Sequence, residues 1–343
     1  MAAMSLLAQD VELLFEGLLD RTPSREEVEA LLPAFAEAGT EALAAMIVAS
    51  EEFRLRRERL ARAALAGPAA DLDPAVVGWA EAFPPAERPW DAEYVERHRR
   101  LVGAAVDDPG LRGAVAGGDP LPGGYGAGYD ERTVEYPWLF GQGLRGRVLD
   151  AGSTFNHPHI LDRALPLVDD LTIVTLVPET DAFPLRGVSY VFGDLRELPF
   201  RDGWFDTVVS LSTLEHVGKD NAVYGAGGAA APDADAEVAR AAGELRRVVA
   251  PGGRILLSVP YGRREDHGWF RQFDAEDLAR LVAAFEAPRA AVSLFAYGPG
   301  GWQHATAEAM ADVRYRDADA EPTPAADRAA AARGVACVAI DVG

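Results

Sequence analysis

The stretch Arg147–His157, "RVLDAGSTFNH", decides the fold. Apolar Val148 and Leu149 run into an acidic residue, Asp150, and Gly152 follows at a turn. An acid closing a strand before a glycine turn marks a ligand-binding loop at the carboxyl edge of an open α/β sheet. A dinucleotide-binding loop opens the same way but needs further glycines, so that backbone can approach the pyrophosphate. Thr154 and Asn156 stand where those glycines would be sought. The turn therefore suits a ligand without phosphate, and an NAD(P) oxidoreductase fails on the missing glycines.

Outward from this loop, strand-like apolar runs occupy Arg147–Asp150, Leu171–Leu176, Val188–Phe192, Thr207–Leu211, Arg254–Val259, Ala291–Ala296 and Val335–Val342. Helical stretches such as Ala236–Val249 and Ala275–Phe285 separate most of them. Strands alternating with helices predict an α/β fold with a parallel, Rossmann-like sheet. Upstream, "GGDPLPGGYGAGYD" (Gly117–Asp130) has the composition of a domain boundary, preceded by helical stretches at Pro74–Phe83 and Asp91–Val106. The first residues read as a small all-α domain. Leu7, Val11, Leu14, Phe15 and Leu18 share a helix face, and Ser24 with Glu27 forms a capping box before Val28, Leu31, Leu32 and Phe35. Thr40 caps a third helix carrying Leu43, Met46 and Ile47, and Ser50 caps a fourth from Glu51 to about Ala64. The expected organisation is a helical module over 1–66, a connector over 67–125 and the sheet domain over 126–343.

Composition narrows the partners. The 343 residues hold 33 Lys+Arg against 54 Asp+Glu, a formal charge of -21. Such a surface repels phosphate backbones and anionic lipid, which argues against nucleic acid or a membrane surface as partner. No apolar run has membrane-spanning length, and the N-terminus lacks a basic flank followed by an apolar core, so the expected location is the cytoplasm. The single cysteine, Cys337, excludes an internal disulfide and a thiolate metal cluster, and reads as a buried small hydrophobe.

Two further stretches follow the loop in order: "GDLRELPFRDGWFDTVVSLSTLEHVG" (Gly193–Gly218) and "ELRRVVAPGGRILLSVPYG" (Glu244–Gly262). With the lead-in "YDERTVEYPWLF" (Tyr129–Phe140), they resemble the class I S-adenosylmethionine-dependent methyltransferases of type 11, most of all a bacterial group reading "LDAGST" and "STLEHVG". The resemblance implies a seven-stranded sheet whose last strand, Val335–Val342, inserts antiparallel at the edge, and S-adenosylmethionine as cofactor. It implies that Asp150, Ala151, Gly152 and Ser153 hold the methionine moiety, that Asp194 and Leu195 bracket the adenine, and that Ser210 and Leu211 lie beside the methyl group. One departure is visible. Thr175 stands where such enzymes carry an acid for the ribose, which leaves Glu179 or Asp181 as substitutes. Separately, "GLLDRTPSREEVEALLPAFAEAGTEALAAMIVASEEF" (Gly17–Phe53) resembles the DUF4214 family of helical modules, implying a docking role toward a protein partner.

The acceptor side draws on two loops at strand ends, Lys219–Asp235 and Tyr261–Phe273. Tyr224, Tyr261 and Trp269 mix rings with polar groups, which suits a sugar or other polyol. His216 and His267 are the candidate bases for a hydroxyl acceptor. The competing reading of His216 is a histidine that merely fixes the turn after the fourth strand. His157, His159 and Asp162 in "HPHILD" have a metal-like spacing, but one turn of chain without a thiolate favours capping or lining roles, so no metal is expected. The function expected is methyl transfer to a hydroxyl of a small molecule or glycan; a degenerate cofactor-binding adaptor is the alternative.

Overall fold

The computed structural model describes residues 74–343 except 180, 226–229, 288, 318–320 and 322–324, together with residues 11, 14–15, 23–25, 27–33, 46–47 and 50. The side chains of residues 75 and 76 are likewise outside the description. Two compact units are present: Met1–Leu72 with Glu179–Ala182, and Asp73–Pro178 with Phe183–Gly343.

In the first unit, residues 27–33 are helical and the capping box is formed. The Ser24 N–H donates to Glu27 Oε2 at 2.7 Å and the Glu27 N–H to Ser24 Oγ at 3.2 Å. Val11, Phe15, Val28 and Ile47 are buried together, with Leu14, Leu31 and Leu32 packed on them. Met46 is exposed beside the buried Ile47. The fourth helix expected from Glu51, and most of the stretch resembling DUF4214, lie outside the described residues.

The second unit is built on one sheet. Its strands are β1 (Arg147–Ala151), β2 (Asp170–Thr175), β3 (Val188–Phe192), β4 (Phe205–Leu211), β5 (Val249–Pro260), β8 (Arg289–Gly298), β9 (Gly301–His304) and β10 (Gly334–Asp341). A separate ribbon pairs β6 (Glu265–Asp266) with β7 (Arg271–Gln272). The order is β3-β2-β1-β4-β5-β10-β8-β9. Strands β1 to β5 run parallel, and β10 lies antiparallel between β5 and β8. The sheet thus has eight strands, one more than expected, and β10 is interior rather than at the rim. The extra strand, β9, hairpins back on β8 from the glycine-rich "GPGGWQH", whose turn composition masks four residues of pairing.

Both faces of this sheet are covered, and side chains alternate between them with the period of two that a strand imposes. Val148, Val209, Leu256 and Cys337 point to one core. Leu149, Val208, Leu257 and Val338 point to the other. On the second face lie α5 (Ala234–Val248) and α6 (Ala275–Ala284). Helix α5 shows why it forms. Asp233 caps it through the Asp235 and Ala236 N–H groups, its first turn is acidic, its last turn carries Arg246 and Arg247, and Val238, Ala241, Ala242, Leu245 and Val248 make its buried stripe.

The first face is covered by α1 (Ala92–Asp107), α2 (Pro109–Gly117), α3 (Arg132–Gln142) and α4 (Pro158–Ala164). Pro137 lies inside α3 and has no N–H to give the Thr133 carbonyl four residues back. The buried Tyr125 hydroxyl donates to that carbonyl instead. The "GGYGAGYD" stretch is therefore not a boundary but a packed segment. A Cβ at Gly126 would come within 2.8 Å of both Thr133 Oγ1 and Trp302 Cδ1, so this close approach needs glycine. Residues from Pro74 onward likewise belong with the sheet rather than to a connector: Tyr94, Leu101, Val102, Val106, Leu111, Val115 and Leu121 are buried with Val148, Ile173 and Val209.

Burial of each such aliphatic side chain is worth about 1.5–3 kcal/mol, so losing six of them matches the whole stability of an ordinary domain, about 5–15 kcal/mol. A chain beginning at Asp73 should retain a cooperative thermal transition, whereas one beginning at Gly124 should aggregate or melt without one. Scanning calorimetry of the two decides whether α1 and α2 are integral to the sheet domain.

Candidate functional site

The order of the parallel strands reverses between β1 and β4, the position at whose carboxyl ends an open α/β sheet has its ligand crevice. Asp150, the penultimate residue of β1, is fully buried, and its Oδ2 accepts the Phe155 N–H at 2.7 Å, which closes the following loop on itself. Gly152 has φ 127, and a Cβ there would collide with the Thr213 hydroxyl. Ser153 (φ 64) and Ser212 (φ 42) also lie in the left-handed region, one on each lip. Strain of this kind costs about 1–3 kcal/mol per residue and gathers at ligand sites. The lips are stitched by Ser210 Oγ donating to the Ala151 carbonyl (3.0 Å) and Thr154 Oγ1 to the Leu211 carbonyl (3.4 Å). Ser153 Oγ is buried without a hydrogen-bond partner among the described residues.

Further along the edge, the Gly193 N–H donates to the Thr175 carbonyl at 2.9 Å, joining the ends of β2 and β3. Asp194 follows. Its carboxylate takes the Arg196 backbone N–H at 2.9 Å and the Arg196 guanidinium at 2.5 Å, and Arg196 also holds Glu237 at 2.5 Å. Burial alone would raise the Asp194 pKa, but the bonds and charge of Arg196 hold it below the usual carboxylate range.

On the other side of the crevice stands a hub of carboxylates. Glu135 of α3 is wholly buried; its Oε1 accepts from Ser212 Oγ and Ser258 Oγ, each at 2.6 Å, and its Oε2 from Arg132 at 2.8 Å. Glu131 accepts the Ala332 N–H at 3.2 Å. Burial, with the nearby charges of Asp130 and Glu135, pushes the Glu131 pKa up to about 8. Glu215, in the turn Leu214–His216 just beyond β4, is buried, and burial raises its pKa well above the ordinary value.

The neighbouring His216 uses both ring nitrogens. Its Nδ1 lies 3.0 Å from the Trp269 carbonyl, which can only accept, so the proton is on Nδ1 and Nε2 accepts the Tyr224 hydroxyl at 3.3 Å. Burial is the main reason that the imidazole pKa falls to about 4. His216 stacks on Trp269 (5.1 Å between ring centroids) and meets Tyr224 edge-on at 5.3 Å.

Residues 172–257 match the family model described as a methyltransferase domain, and they span β2 to β5 around this crevice. The chain carries a methyltransferase domain. It is an S-adenosylmethionine-dependent enzyme, with S-adenosylmethionine as its cofactor. No curated protein matches the sequence. Solved structures similar to this chain include a 1,6-didemethyltoxoflavin-N1-methyltransferase from Burkholderia thailandensis (18% identity, 76% of this chain and 94% of that one, TM-score 0.37). They also include the YcgJ protein from Bacillus subtilis (17%, 57% and 92%, TM-score 0.34). A third is the N-methyltransferase NodS from Bradyrhizobium japonicum (12%, 59% and 89%, TM-score 0.35).

Within the methyltransferase domain, the expected cofactor residues Asp150, Ala151, Gly152, Ser153, Ser210 and Leu211 meet at the β1–β4 crevice, while Thr175, Asp194 and Leu195 continue along the same edge. The side chains of Ala151, Leu195 and Leu211 are packed into the cores, so only their backbones are placed to face a ligand. Glu179 and Asp181 belong to the other compact unit. Of the expected acceptor residues, Tyr224 and Trp269 gather around His216. Tyr261 does not: it is buried in the core beside Phe273 and Leu278. His267 stacks face to face on Phe270 (4.4 Å, 1°) and next to Tyr315. Asp162 pairs with Arg186 at 2.6 Å, and among the described residues no group of three His, Cys, Asp or Glu is arranged to hold a metal ion.

Glu131, Arg132, Glu135, Ser212, Glu215 and Ser258 were not singled out from the sequence. The signal was present in "ERTVEYPW", where two glutamates and an arginine interrupt an otherwise apolar helix that the fold buries.

The raised Glu131 pKa has a measurable consequence. The folded chain holds a proton that an unfolded glutamate, near 4.3, releases. This contribution to stability is complete below about pH 4 and is lost as pH rises toward 8. Glu131→Gln keeps the shape without the titration, so its melting temperature should decline less than wild type between pH 5 and pH 9. Parallel melting profiles would show that Glu131 is ionised in the folded protein.

Proposed function

We propose that this methyltransferase transfers the methyl group to a hydroxyl of a small molecule or glycan. The observation that carries this reading is the ionisable group at the acceptor edge: a buried glutamate, Glu215, one turn beyond β4 and beside a neutral histidine. A hydroxyl must lose its proton as the new bond forms, whereas a neutral amine attacks without prior deprotonation. His216, Tyr224 and Trp269 add a ring-lined wall with polar edges, which suits the mixed apolar and hydroxylated faces of a sugar.

The residues of the crevice fit the cofactor. Ser153 offers a buried hydroxyl with no partner among the described residues, and the loop at Gly152 leaves no room for a side chain, as expected where backbone meets the amino-acid end of a ligand. In this reading Asp150, Gly152 and Ser153 hold the methionine moiety, Asp194 takes the adenine amine, and Ser210 with the Leu211 backbone flanks the methyl group. Arg196 occupies both Asp194 oxygens through its backbone N–H and its guanidinium, so Asp194 takes the adenine amine by giving up one of these bonds. Thr175 replaces a ribose acid by a single hydroxyl. When bound, the cofactor supplies an electrophilic methyl group on a sulfonium. The protein aligns the acceptor and excludes water. We place the enzyme in the cytoplasm and assign residues 1–66 to docking a protein partner, in line with the likeness to DUF4214.

Incubating the protein with isotopically labelled S-adenosylmethionine and a panel of glycosides, polyols and amines tests the acceptor class. Labelled methyl ethers are expected, and a panel yielding only N-methyl products overturns the reading. Asp194→Ala should weaken S-adenosylmethionine binding by roughly 1–3 kcal/mol, the cost of an unpaired buried donor; calorimetric affinity equal to wild type removes Asp194 from the adenine site.

A further inference from the structure

Glu215 differs from Glu135, the neighbouring buried glutamate, in having an oxygen without a hydrogen-bond partner among the described residues. Glu135 has both oxygens filled by Ser212, Ser258 and Arg132, and Glu131 takes the Ala332 N–H. The Glu215 side chain is only 4% exposed. Its Oε2 has no hydrogen-bond partner among the described residues. Its Oε1 lies 3.8 Å from His216 Nε2, a nitrogen that already accepts from Tyr224.

The groups that face it are Glu131 just before α3, Arg132 and Glu135 from α3, His216 in its own turn, Tyr224 in the next loop, and Tyr315. Arg132 is bonded to Glu135, and His216 stays neutral because burial lowers its pKa to about 4. None of these supplies an uncommitted positive charge. A carboxylate buried in this way either keeps its proton or waits for a cation. The turn that holds it begins one residue beyond Thr213, whose hydroxyl fills the space above Gly152, so the turn carrying Glu215 adjoins the cofactor loop.

We propose that Glu215 is the ionisable counter-group to the cofactor's positive charge, losing its proton when S-adenosylmethionine occupies the crevice and regaining one when the methyl group has left. The source of the returning proton rests on the hydroxyl reading above. The acceptor O–H gives its proton to the Glu215 carboxylate as the O–CH3 bond forms and the CH3–S bond breaks, the electron pair of that bond remaining on sulfur. One carboxylate and one sulfonium become one carboxylic acid and one neutral thioether, so no net charge is created inside the site. The arrangement also separates cofactor from product, since a protonated Glu215 has no charge with which to retain the demethylated form.

S-Adenosylmethionine and S-adenosylhomocysteine share their amino-acid and adenosine ends and differ in the sulfonium, which makes them the two probes. Titration calorimetry of the full chain at pH 7, in two buffers of different ionisation enthalpy, counts the protons moved. S-Adenosylmethionine should release up to about one proton per site and S-adenosylhomocysteine none. Glu215→Gln should abolish that release and reduce the preference for S-adenosylmethionine by about 5- to 150-fold, the usual span of a coupling between two sites. Its affinity for S-adenosylhomocysteine, which also reports that the variant is folded, should change little. Equal proton release with the two ligands in the wild-type protein overturns the proposal without any variant, as does release that persists in Glu215→Gln. The hydroxyl reading is judged apart from this. Acceptor panels giving only N-methyl products remove the hydroxyl as proton source, while a sulfonium-specific release that depends on Glu215 keeps the counter-group.

Discussion

Glu135 is the point from which the site is organised. Its carboxylate, fully buried on a helix that is otherwise apolar, joins three separate stretches of chain: α3 through Arg132, the end of β4 through Ser212, and β5 through Ser258. Three-way satisfaction of this kind is what makes a buried charge tolerable, and removing one partner from such a network typically costs about 3–5 kcal/mol. The bond from Ser212 also holds a non-glycine residue in the left-handed region at the lip of the crevice. The shape of the cofactor edge therefore depends on a helix that precedes the sheet in the chain. That helix in turn keeps its inner carbonyl satisfied through Tyr125, because Pro137 cannot.

Around this hub the methyltransferase domain accumulates more buried acid than base. Asp130, Glu135 and Glu215 are buried and Glu131 is half-buried, with Arg132 as the guanidinium among them. Asp130 is balanced locally by the Tyr94 hydroxyl at 2.9 Å and by His98. The remaining imbalance appears as raised pKa values at Glu131 and Glu215, since burial favours the neutral acid more than the nearby Arg132 guanidinium, itself bonded to Glu135, favours the charged one. A cationic cofactor at the adjoining strand ends suits this arrangement, and so does an acceptor that must shed a proton.

The acceptor wall is held by different means. His216 is fixed by the Trp269 carbonyl and the Tyr224 hydroxyl, so its ring serves the turn and the stacking of Trp269. The Lys219–Asp266 ion pair at 2.7 Å and the Asp220 N–H to the Gly268 carbonyl at 3.3 Å tie together the bases of the two loops that follow β4 and β5. The two loops are joined near the strands even though they are far apart in sequence.

Local chemistry settled part of this from the chain alone. Period-two and near-continuous apolar runs specify strands buried on both faces, so seven of the sheet's strands and the main helices were legible, as was the Ser24–Glu27 cap. The Asp150–Gly152 turn was legible because its chemistry lies within a few consecutive residues. Non-local contacts decided the rest. Gly117–Asp130 has the composition of a linker yet is packed, because its glycines admit Thr133 and Trp302. Tyr261 looked like an acceptor ring but falls on the core side of its strand end. Glu215 was overshadowed by the adjacent histidine, and its significance appeared only once α3 was seen beside it, bringing two more glutamates and an arginine already bonded to one of them. A sequence pattern reveals which residues share a face. Only the tertiary structure shows which of their charges are left without a partner, because burial and pairing are properties of the whole fold.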